Sequence, residues 1–413
     1  MMHIQTMIIL ILLSLFCPSY GNYLELQLSE ELYNIDIDNE TNIIFIGGKN
    51  LLLKASSTLK EVKRITTGPK PDNKECLESQ RDCTLKNTDN RNKILLIDSR
   101  NKKLITCGSL THGVCQGRNL ETLSVEISNN NTYVVSNSEL PSVAVIGPSW
   151  DGKRALYVAT SWDGKTYGKV KSDINKLNFL IDPKPSVSTR NIDGSNVFSV
   201  SVNSALDGCS CLEFKNLNYL VNYIYGFTLG GFTYFVSVQE TTESYYQEKN
   251  QKVFSTFITR ICQQDKIYFS YLELPLECKG TNGTNFNIGT SAYLTKPGNF
   301  FVKSSGIQAS DEVLVVTFVQ TIGGWNDPAS KSGVCFYPVK EINEKLAADQ
   351  TKCADGSYST EKYGLPWYGD DKKCAPKVIF NTLVNHEFLS SETKKVWFNL
   401  SNLLATACSS NCE

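Results

Sequence analysis

Residues Ile94–Cys115, ILLIDSRNKKLITCGSLTHGVC, decide the fold. Ile94–Ile97 is apolar and largely β-branched, which suits a buried strand. Asp98–Lys103 is polar and breaks the run. Leu104 and Ile105 resume it, and Cys107 and Cys115 then bracket a glycine-containing loop short enough to close on itself. A strand, a charged turn, a second strand and a cysteine staple form a unit expected to recur along the chain.

The rest of the chain repeats paired strands. Asn42–Ile46 and Leu51–Ala55 flank Gly47-Gly48-Lys49-Asn50, a hairpin signal. Val143–Ile146 and Ala155–Thr160 flank Pro148-Ser-Trp-Asp-Gly-Lys. Further strands are expected at Val197–Val202, Ile224–Leu229, Thr233–Val238, Val253–Ile261, Lys266–Leu274 and Val313–Val319. Val339–Ala348 is the best short helix. Strand pairs with so little helix mean an all-β sandwich array or a propeller. Seven repeats would be roughly 56 residues each, longer than the common propeller blade of about 40–50, so long loops are expected. Leu24–Leu28 (LELQL) alternates and would close the ring by joining a last blade around Lys395–Leu400.

Met1–Gly21 reads as a secretory signal. Its apolar core, Met7–Phe16, is too short to span a bilayer, and Ser19 and Gly21 fit a cleavage after Gly21. No later stretch is long and apolar enough to cross a membrane, so a secreted, extracellular product is expected, without membrane insertion. Of the 14 cysteines, Cys17 lies in the signal, which leaves an odd number in a disulfide-permissive compartment. Sequons stand at Asn39, Asn130, Asn282 and Asn399. A net charge of −1 argues against nucleic acid or an anionic membrane as partner. No Pro/Ser/Gly-rich linker divides residues 22–402, which read as one domain followed by a short tail, 403–413.

Catalytic readings are weak. Beyond the signal the histidines are His112 and His386, and no Gly-x-Ser-x-Gly elbow accompanies them. Cys209-Ser-Cys211 lacks the second ligand pair of a zinc site. Asp370-Asp371 reads as a solvated turn, and Gly230-Gly231 and Gly323-Gly324 as strand bends. Ser149-Trp-Asp-Gly-Lys-Arg and Ser161-Trp-Asp-Gly-Lys-Thr loosely resemble the Asp-box turns of sialidases. Such turns are structural: the aspartate caps a tight turn and the glycine supplies positive φ. No catalytic residue, cofactor or metal ligand is expected. A sialidase-like enzyme, or a decoy for soluble cytokines, is the alternative.

Leu104–Cys115 (LITCGSLTHGVC) resembles the first-blade strand and cysteine loop of semaphorins. Cys76 and Cys83 match an earlier pair, with shorter spacing. Tyr234–Glu240 (YFVSVQE), Phe257–Asp265 (FITRICQQD) and Ser332–Tyr337 (SGVCFY) are similar to later elements of that family, in order, and a short helix follows the last. The lack of an immunoglobulin module makes the chain resemble the minimal secreted semaphorins of poxviruses, with Cys408 and Cys412 read as a remnant of a cysteine-rich module.

The resemblance implies a seven-bladed β-propeller, the sema domain, that binds a plexin receptor, class C, edge-on, as a homodimer, and modulates immune-cell adhesion and migration. It implies the bridges Cys76–Cys83, Cys107–Cys115, Cys262–Cys374 and Cys278–Cys335. Cys209, Cys211, Cys353, Cys408 and Cys412 are left to pair with one another, with one over, or for Cys408 and Cys412 to link two chains. The corresponding third-blade region carries Trp162, Asp163, Lys165, Tyr167 and Lys169, with Arg190 and Asp193 nearby, as receptor-binding residues. Read as a surface, this cluster predicts that Trp162→Ala with Lys165→Glu weakens binding and leaves the melting temperature unchanged. Read as packing, it has Trp162 and Tyr167 holding the hairpin together.

Overall fold

A computed structural model describes residues 24–355, except 74–83, 137–138, 164–168, 172–177, 181–185, 205–207, 213–219, 242–252, 269 and 322–327. Five antiparallel sheets follow one another in chain order. The first is Leu32–Asp38, Ile43–Gly48, Leu51–Ala55 and Glu61–Thr66. The second is Asn92–Asp98, Lys103–Gly108, Val114–Asn119 and Val125–Tyr133. The third is Ser142–Pro148, Arg154–Thr160, Val187–Asn191 and Cys211–Leu212. The fourth is Leu220–Leu229, Phe232–Glu240, Phe254–Cys262 and Leu272–Pro275. The fifth is Ile288–Thr295, Val313–Thr321 and Pro328–Pro338. The first strand of each sheet lies against the first strand of the next. The sheets therefore radiate from a line of inner strands, an all-β propeller arrangement.

The period-2 geometry of a strand explains why the apolar runs are continuous. Alternate side chains point to opposite faces, and a blade between two neighbours buries both. In the second sheet Leu95 and Leu104 pack against Phe45 and Leu52 of the first, while Ile94 and Ile105 pack against Leu156 and Val158 of the third. The third sheet then turns Ala155, Tyr157 and Ala159 toward Tyr223, Phe235 and Ile261 of the fourth. The fourth turns Phe227, Tyr234, Val236 and Ile258 toward Leu314, Val316 and Phe318 of the fifth. Each run such as Ile94–Ile97 thus feeds two seams.

Polar contacts fix the register between inner strands. Asn34 Nδ2 donates to Asn92 Oδ1 at 2.8 Å, and the Ile97 amide donates to Asp36 Oδ2 at 2.7 Å. Burial pushes the Asp36 carboxyl above its usual range, against the lowering effect of the Ile97 and Ile37 amides.

Several expectations shift. Gly47 and Gly48 lie inside Ile43–Gly48, not in the turn. The turn is Lys49-Asn50, with Asn50 at φ 59°. The glycines are there for close approach: a Cβ on Gly47 would stand 2.9 Å from Asn92 Cβ, and one on Gly48 2.6 Å from the Glu31 carbonyl oxygen. Gly47→Ala is expected to cost about 1–3 kcal/mol by overpacking, read as a lower urea midpoint. Lys266–Tyr268 and Ser270 are turn and not strand, because Asp265 accepts the Ile267 amide at 3.1 Å and the Ser270 amide at 2.6 Å. Only Leu272–Pro275 is strand there. Val197–Val202 folds back over Val187–Asn191 through the Arg190–Val200 bridge, with Phe198 at φ 64°. The helix extends over Val339–Asp355. It buries Val339, Ile342 and Leu346 and is clamped by Asn343 Oδ1, which accepts from Tyr234 Oη at 2.8 Å and Arg260 Nη1 at 3.0 Å.

Cys107–Cys115 and Cys278–Cys335 are bonded as expected, and Cys209 bonds Cys211. Cys262 is disulfide-bonded; its expected partner Cys374 lies outside the described residues. So do Cys76, Cys83, Cys408, Cys412, His386, the segment 1–21, the tail 403–413 and the Lys395–Leu400 strand. Leu24–Leu28 is not a strand, but Leu26 and Leu28 cover the outer face of the first sheet.

Candidate interaction surface

The two Ser-Trp-Asp-Gly-Lys copies fold differently. The first closes the hairpin between Ser142–Pro148 and Arg154–Thr160. The Gly152 amide donates to the Ser149 carbonyl at 2.9 Å, and the Lys153 amide donates to Asp151 Oδ1 at 3.1 Å. Gly152 takes φ 74°, the conformation the motif requires. This turn exposes Trp150, 37% accessible, with Lys266 Nζ 5.2 Å from its ring centroid.

In the second copy only Ser161, Trp162 and Asp163 are described, and they lie differently. Trp162–Asp163 adds to the inner edge of the fourth sheet, with Trp162 opposite Val221. Ser161 Oγ accepts the Tyr223 amide at 2.8 Å. Trp162 is 3% exposed, in the seam that holds Tyr157, Tyr223 and Phe235. It therefore does not present a surface in this fold, which corrects the expected exposure of Trp162. Lys165 and Tyr167 lie outside the described residues. Asp163 and Lys169 fall in strands, Trp162–Asp163 and Lys169–Lys171, that belong to different sheets.

Arg190 is also buried, at 2% exposure. Its Nε donates to Ser188 Oγ and its Nη1 to the Phe198 carbonyl, both at 2.9 Å. Burial lowers the guanidinium to about 10, so the group remains charged at neutral pH. Arg190 holds the Val197–Val202 segment onto its strand, and this role too replaces a surface one. Asp193 is exposed. Asn101 Nδ2 donates to Asp193 Oδ1 at 2.9 Å and to Asp98 Oδ2 at 2.8 Å, and Asp98 pairs with Arg154. Asp193 is thereby tied to the strand that follows the Trp150 turn.

Trp150, Lys153 and Asp193 are accessible among the described residues of the third blade. The signal for Trp150 was the motif itself: of its two copies, the one flanked by apolar strands on both sides forms a hairpin tip. Asn39, Asn130 and Asn282 are exposed; Asn399 lies outside the described residues. Among the described residues no cluster of acidic, histidine or cysteine side chains could hold a metal ion, and no helix is long and apolar enough to cross a membrane.

The chain is similar to plexins over most of its length. It is 30% identical to human Plexin-A2 over 354 residues, 83% of this chain and 18% of that protein. It is 28% identical to Plexin-A3 of Rattus norvegicus over 354 residues, 81% of this chain and 18% of that protein. The solved extracellular region of plexin A4 superposes with TM-score 0.72 at 25% identity, covering 84% of this chain and 38% of that one. The fold is a sema propeller. Drosophila semaphorin 1a, extracellular domains 1–2, shares that fold at TM-score 0.51 and 15% identity, covering 88% of this chain and 66% of that one. No family model matches. The chain spans less than a fifth of the length of the curated plexins it matches. The similarity in sequence is to the plexins, and the likeness to semaphorin 1a is one of fold.

Proposed function

We propose that this sema propeller is an extracellular recognition module that acts by protein–protein contact with a plexin or semaphorin ectodomain. The observation that carries this reading is the 25% identity at TM-score 0.72 to the extracellular region of plexin A4. In its finer form, taken from the sequence motifs, the chain is a secreted, homodimeric, virus-encoded ligand. Its receptor is a plexin, class C, bound edge-on, and its effect is on immune-cell adhesion and migration. The identity to plexins favours a second reading, in which the chain is the plexin-type partner and its ligand is a semaphorin.

Surface plasmon resonance on immobilised plexin and semaphorin ectodomains, one per class, separates the two. Saturable binding to plexins alone supports the ligand reading, and binding to semaphorins alone supports the receptor reading. A folded chain that binds neither overturns both. At the surface, Trp150 is the expected anchor, since exposed Trp carries large contact area with few rotatable bonds. Trp150→Ala is expected to weaken binding by about 10-fold or more, as hot-spot truncations above 1.4 kcal/mol do, with the urea midpoint unchanged. Asp163, Lys165, Tyr167, Lys169 and Asp193 extend the same proposed surface. Intact-mass measurement before and after glycosidase treatment tests Asn39, Asn130, Asn282 and Asn399.

A further inference from the structure

We propose that Cys209–Cys211 is a thiol-exchange site, opened by a protein dithiol of the Cys-x-x-Cys class, and that its opening releases the Lys266 turn from Trp150. Three bridges have both partners among the described residues. Cys107–Cys115 is sealed, at 1% and 0% exposure, and Cys278–Cys335 closes a loop with a sequence separation of 57. Cys209–Cys211 spans a separation of 2, so it removes little freedom from the unfolded chain. Cys209 is only half-buried. A bridge that stabilises little and can be reached from solvent belongs with the labile kind, not the structural kind.

The bridge holds a bend. A straight strand sets residues i and i+2 about 6.6 Å apart, whereas these Cα atoms are 5.0 Å apart. Gly208–Cys209 pairs with Asn203–Ser204, while Cys211 pairs with Ser188 in the third sheet. Ser210, between them, is 1% exposed. Its amide donates to the Val202 carbonyl at 2.8 Å and its carbonyl accepts the Thr189 amide at 2.9 Å. Its Oγ donates to the Lys266 carbonyl. Lys266 is the residue whose Nζ lies 5.2 Å from the Trp150 ring centroid. One line of contacts thus runs from the bridge to the accessible tryptophan. A chain free to straighten at Ser210 turns that Oγ away from Lys266.

The exchange needs no other reagent. A thiolate of the dithiol attacks Cys209 Sγ, the Cys209–Cys211 bond breaks, and Cys211 Sγ leaves with the electron pair and takes up a proton. The dithiol's second sulfur, as thiolate, then attacks the first, closing the dithiol's own disulfide and freeing Cys209 Sγ, which takes up the second proton. Two electrons and two protons pass from the dithiol to the chain.

The effect on binding rests on the proposed function, which makes Trp150 the anchor; the bond exchange and the Lys266 turn are read without a partner. The folded full chain is incubated with thioredoxin, kept reduced by its reductase and NADPH, then with iodoacetamide, and peptide-mapped. Cys209 and Cys211 are expected to label about 10-fold or more faster than Cys107, Cys115, Cys278 and Cys335, as a reachable, weakly held bridge does. Equal labelling, or none at Cys209 and Cys211, overturns the proposal. Cys209→Ser with Cys211→Ser fixes the open state, and Ser210→Ala cuts the link to Lys266 with the bridge intact. Both are expected to speed amide exchange at Ile267 and Ser270 by about 10-fold or more, as local opening does, and to leave Ile43–Leu53 unchanged. Unchanged exchange at Ile267 and Ser270 in either variant overturns the coupling to Trp150. A chain that binds no ectodomain yet labels and exchanges as expected loses the proposed function and keeps the thiol switch; one that binds and does not label does the reverse.

Discussion

Trp162→Ala in the full chain is expected to lower stability by about 3–5 kcal/mol, the usual cost of truncating a buried Trp. The indole is 3% exposed and shares a seam with Tyr157, Tyr223 and Phe235. Removing it takes apolar area out of burial and leaves a cavity between two rigid sheets. Those sheets are paired through their own backbone ladders and cannot close onto it. Trp162→Phe is expected to recover part of the loss by filling some of that space. Urea titration followed by intrinsic fluorescence and circular dichroism reads both variants. An unchanged midpoint for Trp162→Ala, together with lost ectodomain binding, would return Trp162 to the surface role and contradict the seam. The same comparison with Trp150→Ala distinguishes the two tryptophans: one is expected to change stability and the other affinity.

That contrast marks where the sequence was legible. Strands buried on both faces announced themselves, because a continuous apolar run such as Ile94–Ile97 or Leu156–Ala159 has no other low-energy place. Strands of polar composition did not. Val187–Asn191 (VSTRN) reads as a polar connection, yet it is the third strand of its blade. Its polar side chains are satisfied internally, by Arg190 on Ser188 and by Thr189 with Tyr268 Oη at 2.8 Å. Glu61–Thr66 and Pro328–Pro338 escaped for the opposite reason: they are largely exposed, so their composition follows water and not the core.

The candidate surface was harder to read than the blades. Local pattern shows that a Trp-Asp-Gly turn can form, but not that Trp162 pairs into a neighbouring sheet. Ser161–Trp162 sits where the chain crosses from the third sheet to the fourth, and Trp162 pairs there with Val221. Arg190 misleads in the same way. An arginine in a polar stretch suggests a surface charge, whereas here the guanidinium spans Ser188 and the Phe198 carbonyl inside the blade.

Replacing Cys278 and Cys335 together by serine is expected to cost about 4 kcal/mol in the chain-entropy account, since the bridge closes a loop with a sequence separation of 57. Losing Cys209–Cys211, separation 2, is expected to cost only about 1.5 kcal/mol on the same account. The two bridges also differ in what they hold. Cys335 lies in the edge strand of the fifth sheet, opposite Val316, and Cys278 follows the last strand of the fourth. The bridge thus ties the fourth blade to the fifth at the place where the helix leaves. Its loss is expected to lower the urea midpoint and to raise amide exchange first in Pro328–Pro338 and the Val339–Asp355 helix. Exchange in Ile43–Leu53, three blades away, is expected to stay as it was. A uniform rise across all five sheets would instead show that the propeller unfolds as one cooperative unit, with the bridge acting only on the unfolded chain.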